Sequence, residues 1–332
     1  MGHASFLVFG AGAWGTALSL QLNKSGNEVF LSSFDEENLS AIASTRINDK
    51  YLSGVELPKE IRVTSLTQEV LGKVDCVVIC VKSPYFSKAL SVLNNASKSF
   101  KVLWATKGFD PDSGALLSKI VSRHYGEDAE HGVLSGPTFA EELALNKPAA
   151  ITLATDTIKD PSGLASSMSN KSLRVYISND PVGVQLGGSL KNIIAIASGI
   201  SDAMDMGANA RAALITRGAE EMRALGASMG ANETTFSGLS GIGDLVLSAT
   251  DNQSRNRQLG MHIGRGGNLD SFKEINNGAP EGVHAVSALV NAGMVNDDRF
   301  PITTRVYKIL FEGLPAEVAA TELMTRPLRS EN

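Results

Sequence analysis

A short apolar strand that runs directly into three spaced glycines and then a helix leaves few folds open to a chain. Phe6, Leu7, Val8 and Phe9 read as a buried strand, Gly10-Ala11-Gly12-Ala13-Trp14-Gly15 as a turn, and the residues through Leu22 as an amphipathic helix. In that order the three glycines serve different ends, Gly10 the tight turn, Gly12 the close approach of a pyrophosphate, and Gly15 the packing of helix on strand. The free amides that follow, Ala13 among them, and the positive end of the helix dipole then face the phosphates. The alternative is a glycine-rich turn that holds no ligand.

Glu28-Val29-Phe30-Leu31-Ser32 predicts a second strand, and further strands are expected at 61–63, 74–81, 101–105, 133–135, 149–153 and 174–177. Buried strands alternating with helical or polar segments predict an α/β, Rossmann-type domain with a mainly parallel sheet. Ligands in such sheets lie beyond the carboxyl ends of the strands. Lys82-Ser83-Pro84, Thr106-Lys107-Gly108 and Gly136-Pro137-Thr138-Phe139-Ala140 stand there. Lys107 is either a cation aimed at an anionic ligand or a solvated loop lysine, and Thr138 either a site residue or a cap for the helix after it. After the second strand come Ser33, Phe34 and Asp35, with no Lys or Arg for a 2′-phosphate and an acid set late for a ribose contact. The choice between NAD and NADP stays open.

Asn179-Asp180-Pro181 marks a break, after which strand signals stop. The reading is two domains, 1–179 binding a dinucleotide and 180–332 all-α. Helices are expected over Gly183–Ile200, over Asn209–Met222 with Asn209 as cap, around Thr234–Leu239, and at 281–292, 303–310 and 317–324. The first holds one charged side chain, Lys191, among apolar and small residues. A buried ammonium finds a partner, loses its proton or snorkels to solvent. Gly187, Gly188, Ala195 and Ser198 share its face, which predicts a groove beside the amine. A polar cluster follows from Gly241 to Arg257. Asp244, between a glycine and an apolar run, is either a partner for a lysine or substrate hydroxyl, or a helix-start acid. Ser254, Arg255 and Asn256 are consecutive donors suited to phosphate, or a capping turn.

Composition narrows the partners. A net charge of −5 without a long basic run argues against a nucleic-acid surface. No apolar run approaches a membrane span, and the N-terminus has no leader pattern, so a cytoplasmic location without stable membrane insertion is expected. Cys76 and Cys80 read as reduced core thiols, and the five histidines have no metal-ligand spacing, so no metal is expected. Oligomeric state stays open, a homodimer included.

Taken together, Gly10–Ala17, Trp104–Gly108, Ser135–Ala140, Gly183–Asn192, Gly207–Arg211, Leu214–Gly218, Gly243–Leu247 and Asp251–Arg257 resemble the prokaryotic-type glycerol-3-phosphate dehydrogenases, which use NAD or NADP. The resemblance covers nearly the whole chain. It implies hydride transfer between NAD(P)H and dihydroxyacetone phosphate, giving sn-glycerol 3-phosphate for phospholipid synthesis. It implies Lys191 as proton donor and acceptor, acting with Lys107 and Asp244. Lys107, Gly136, Thr138, Lys191, Asp244, Ser254, Arg255 and Asn256 would contact this small phosphate substrate. Trp14, Phe34, Lys107, Ala140, Arg255, Ala279 and Glu281 would lie along the cofactor, beyond the glycine turn. The chain departs from the family pattern at Phe34, Lys82 and Ala279-Pro280. Two other readings are a related hydroxyacid or sugar-phosphate dehydrogenase and a dinucleotide sensor without catalysis.

Overall fold

A computed structural model describes residues 4–94, 99–276 and 278–327. The first half is built from β1 (Ser5–Phe9), α1 (Ala13–Lys24), β2 (Glu28–Ser32), α2 (Glu36–Thr45), β3 (Ile47–Asn48), β4 (Leu52–Glu56), β5 (Ile61–Val63), α3 (Gln68–Lys73), β6 (Cys76–Ile79), α4 (Phe86–Leu93), β7 (Lys101–Trp104), α5 (Leu117–Tyr125), β8 (His131–Ser135), α6 (Ala140–Ala144), β9 (Ala149–Ala154), α7 (Pro161–Met168) and β10 (Leu173–Ser178). Eight strands form one sheet in the order β10-β9-β8-β7-β6-β1-β2-β5. Every pairing is parallel except β8 with β9. β1 lies centrally and is buried throughout, as its unbroken apolar run requires. Apolar side chains cover both faces of the sheet, one core around Phe6, Val8 and Leu18, the other around Leu7, Phe9, Phe86 and Trp104. The strand order turns between β1 and β6, so their carboxyl ends open the crevice where such folds bind ligands.

The second half is helical: α8 (Pro181–Ala203), α9 (Gly207–Ser228), α10 (Asp244–Thr250), α11 (Arg255–Gly264), α12 (Leu269–Ile275), α13 (Glu281–Asn291), α14 (Pro301–Phe311) and α15 (Ala316–Met324). α8 starts sharply because Pro181 has no amide hydrogen to waste and the Asp180 carboxylate accepts from Gly183 N at 2.8 Å. It is buried on nearly every side, and Leu186, Ile193 and Ile196 anchor the helical core.

Several expectations are corrected. The strand at 74–81 stops at Ile79, so Cys80 lies just past it; both thiols are free, and burial pushes both upward in pKa. A small antiparallel hairpin, β3 with β4, was not expected. Asn209 does not cap α9: that helix begins at Gly207 after Met206, with no side-chain cap, and Asn209 falls inside its first turn. The segment at 234–239 is a 3-10 turn over Glu233–Ser237 followed by a π-turn over Leu239–Gly243. The polar cluster that follows is two helices, α10 and α11, joined by a short turn.

Candidate active site

The π-turn ends where α10 begins, which sets Asp244 in the first turn of that helix, 2% exposed, facing α8. Lys191 Nζ donates to Asp244 Oδ1 at 2.7 Å and to Ser248 Oγ at 2.6 Å. Lys107 Nζ, beyond the end of β7, donates to Asp244 Oδ2 at 2.5 Å. One carboxylate therefore bridges two ammonium groups, one from the sheet and one from the helical half. Lys191 is 7% exposed, so it neither snorkels nor lacks a partner. Lys107 is not a solvated loop lysine; its side chain is 17% exposed and ion-paired. Asp244 both starts a helix and holds the lysines, so its two readings are one.

Charge separates the two lysines. Burial pushes Lys191 down, Asp244 pulls it up, Lys107 pushes it down again, and the balance is about 8. Burial also works to lower Lys107, but the carboxylates of Asp244 and Glu281 outweigh it and hold that ammonium above its ordinary range. Burial alone would raise Asp244; the two ammonium groups keep it below the usual carboxylate range. The directly paired array holds two ammonium groups on one carboxylate, and Glu281 acts on both lysines from the start of α13.

Gly187 does not open the groove expected beside Lys191. A Cβ on Gly187 would lie 2.3 Å from the Ser240 carbonyl oxygen, so the small residue admits the backbone of the π-turn. That contact is what brings α10, and Asp244 with it, close to α8.

Around this centre, Trp14 Nε1 donates to Thr138 Oγ1 at 3.1 Å, tying the glycine turn to the loop after β8. Thr138 is not a helix cap; α6 follows Phe139 without one. Gly136 packs against the backbone of Ala150 and Ile151, and Ala140 opens α6. Asn256 Nδ2 donates to Asn192 Oδ1 at 2.9 Å, and Gly282 N donates to Asn256 Oδ1 at 2.8 Å. Asn192 Nδ2 in turn donates to Glu281 Oε2 at 3.2 Å, at the start of α13 just after Ala279. Ser254 Oγ caps α11, accepting from Arg257 N at 3.4 Å, so the capping reading holds there. Arg255 is exposed, its Nη2 donating to the carbonyls of Asn276 and Gly278. Phe34 stands apart, at the far end of β2 and edge-on to Phe9. Ser248 and Asn192 were missed; Ser248 lies one helical turn beyond Asp244 and Asn192 adjoins Lys191, spacings that only the tertiary fold makes meaningful.

The glycine turn fits a dinucleotide. Gly10 has φ +122°, and a Cβ there would sit 2.6 Å from the Cys80 carbonyl oxygen. The space beside Gly12 is open to 4 Å, and α1 begins there with neither a side-chain cap nor an acid in its first turn. At the end of β2, Ser32 Oγ is buried without a partner among the described residues. Uncapped amides over open space are what a pyrophosphate needs.

Residues 5–160 match the family described as NAD-dependent glycerol-3-phosphate dehydrogenase N-terminus, and residues 180–321 match its C-terminus. The chain belongs to the NAD-dependent glycerol-3-phosphate dehydrogenase family. It is similar to a glycerol-3-phosphate dehydrogenase [NAD(P)+] of Sodalis glossinidius, 40% identical over 99% of this chain and 98% of that one. It is likewise 40% identical to one from Aliivibrio fischeri, over 99% of this chain and 96% of that one. Among solved structures, a glycerol-3-phosphate dehydrogenase from Coxiella burnetii superposes with TM-score 0.92 at 35% identity, covering 98% of this chain and 99% of that one. A ketopantoate reductase from Ralstonia eutropha shares the fold alone, with TM-score 0.59 at 15% identity. The chain is thus an NAD(P)-dependent oxidoreductase with a Rossmann-type half and a helical half. Among the described residues no helix is long and apolar enough to cross a membrane, and no group of His, Cys, Asp or Glu could hold a metal.

Proposed function

We propose that Lys191 carries the proton in the interconversion of dihydroxyacetone phosphate and sn-glycerol 3-phosphate that this enzyme family catalyses. The observation that supports it most is the buried Lys191–Asp244–Lys107 array, with the Lys191 value near 8. The nicotinamide, when bound, supplies the hydride. As the carbonyl oxygen becomes an alkoxide, an ammonium beside it stabilises the charge and delivers a proton; in reverse the amine takes the proton back. Asp244 orients Lys191 and compensates its charge, and Ser248 fixes the amine from the same helix. Lys107, held in its charged form, adds a fixed positive field.

Phosphate binding falls in this proposal to Arg255, supported by its exposed guanidinium, with Ser254 and Asn256 shaping the start of α11. Gly136 and Thr138 would line the substrate side opposite. Residues 1–179 act as the cofactor domain and 180–332 as the substrate domain, a division supported by the end of β10 at Ser178 and the Asp180 cap. Cytoplasmic residence belongs to the same reading, supported by the free thiols of Cys76 and Cys80. Product supply to phospholipid synthesis belongs to it too, on the resemblance. Lys191→Met tests the core of it: kcat for dihydroxyacetone phosphate reduction falls at least about 10³-fold while NADH binding, followed by fluorescence, persists. Near-normal kcat overturns the assignment.

A further inference from the structure

We propose that Lys88 is the residue that selects NADPH over NADH, by taking up the 2′-phosphate at the carboxyl end of β2. This rests on the dinucleotide reading of the β1–α1 turn. A dinucleotide without the 2′-phosphate offers two ribose hydroxyls there, and the group that answers them is a free carboxylate. The acid in place, Asp35, is not free. Its Oδ1 accepts from Asn38 N at 3.1 Å, capping α2, and its Oδ2 accepts from Lys50 Nζ at 2.7 Å. The next acid, Glu36, accepts from Ser65 Oγ at 2.7 Å.

What the site does present is positive. Lys88, exposed on the first half of α4, sets its ammonium 4.8 Å from the ring centroid of Phe34. Phe34 in turn is held edge-on against Phe9 of β1, with centroids 4.9 Å apart. The ring thus places a cation over the end of β2, and that ammonium has no carboxylate or carbonyl partner among the described residues. A face-on aromatic contact stabilises an exposed ammonium weakly, so an anion can draw it away. Ser33 supplies a second donor: its Oγ accepts from Asp35 N at 3.1 Å, and its O–H donates to no described group. An ammonium and a hydroxyl, with the nearby acid already neutralised, match a phosphate monoester better than a pair of hydroxyls. The sequence conceals this because Lys88 lies 54 positions beyond Phe34, on a helix after a different strand.

Equilibrium titration of the full chain with NADPH and NADH, without substrate, measures the two Kd values and their ratio. The expected result is tighter NADPH binding in the wild type. In Lys88→Gln the NADH-to-NADPH Kd ratio falls about tenfold, the size of one charge-assisted contact, while Lys88→Arg retains it. Competition by 2′,5′-ADP weakens in step in the Gln variant, whereas competition by AMP holds. An unchanged ratio in Lys88→Gln, or an equal loss for both coenzymes, overturns the role of Lys88 alone. Failure of the wild type to bind either coenzyme overturns the dinucleotide reading and this inference with it.

Discussion

Lys191 Nζ lies 2.7 Å from Asp244 Oδ1, a contact between side chains 53 positions apart that joins α8 to the start of α10. The same carboxylate reaches Lys107, so the acid couples a lysine of the sheet to a lysine of the helical half. Because the two ammonium groups share one counter-ion, the more buried of them releases its proton more readily. That gives a reversible proton carrier next to a permanent cation.

A Lys191 value near 8 has opposite consequences for the two directions. Reduction needs the ammonium, so kcat/KM for dihydroxyacetone phosphate falls about tenfold per pH unit above about 8. Oxidation needs the amine, so kcat/KM for glycerol 3-phosphate falls as pH drops below that point. Initial-rate profiles in both directions should cross; two profiles that rise together leave Lys191 without this role.

Asp244→Asn removes the anion between two buried cations. Breaking such an arrangement from one side costs about 3 kcal/mol, because the charges left behind have no compensation. The urea midpoint should fall accordingly. Asp244 raises Lys191, so its loss also moves the alkaline limb of the reduction profile to lower pH. A variant as stable as the wild type, with its limb in place, is incompatible with the bridge.

A second buried acid lies away from the site. Glu221 of α9 accepts from Ile302 N, Thr303 N and Thr303 Oγ1, at 2.6, 3.0 and 2.7 Å, closing the start of α14. Burial pushes its carboxyl up to about 7 against the pull of those donors. A folded value above the unfolded 4.5 means that its contribution is fully present below 4.5 and lost as pH rises through 7. Relative to Glu221→Gln, the wild type should lose up to about 3 kcal/mol between pH 4.5 and 8 in urea titrations. A wild type that gains stability relative to Glu221→Gln as pH rises contradicts the sign.

The β1–turn–α1 unit was legible because its pattern is local: an apolar run, spaced glycines, then helical periodicity. Lys191 was legible as an anomaly for the same reason, since one charge in an apolar helix is visible without the fold. Asp244 was legible too, as an acid able to hold a lysine, though its position against α8 was not. At Gly187 the Ser240 carbonyl puts a helix contact where a groove was expected, and nothing in the spacing of Gly187 and Gly188 distinguishes the two. Ser248 and Asn192 carry no signal apart from their neighbours. The β3–β4 hairpin escaped notice because β4, Leu-Ser-Gly-Val-Glu, is short and mostly exposed, without the apolar alternation that marks a strand. Asn209 was misplaced as a cap because Gly207, at φ +85°, lets α9 begin directly after Met206.

Gly10 and Gly12 look alike in the sequence but should fail differently. At Gly10 the backbone has φ +122° and a Cβ would meet the Cys80 carbonyl, so Gly10→Ala strains the contact between the glycine turn and the chain just past β6 and destabilises the fold by more than about 1 kcal/mol. At Gly12 φ is −77° and the Cβ position is open to 4 Å, so Gly12→Ala should fold with a Tm within a few degrees of the wild type. The methyl group would instead stand where the pyrophosphate must approach the uncapped amides of α1, weakening NADH by about tenfold or more. Thermal melts paired with NADH titration separate the two effects. If Gly12→Ala binds NADH as the wild type does, the pyrophosphate does not pass over this turn, since the glycine has no other steric reason to be there.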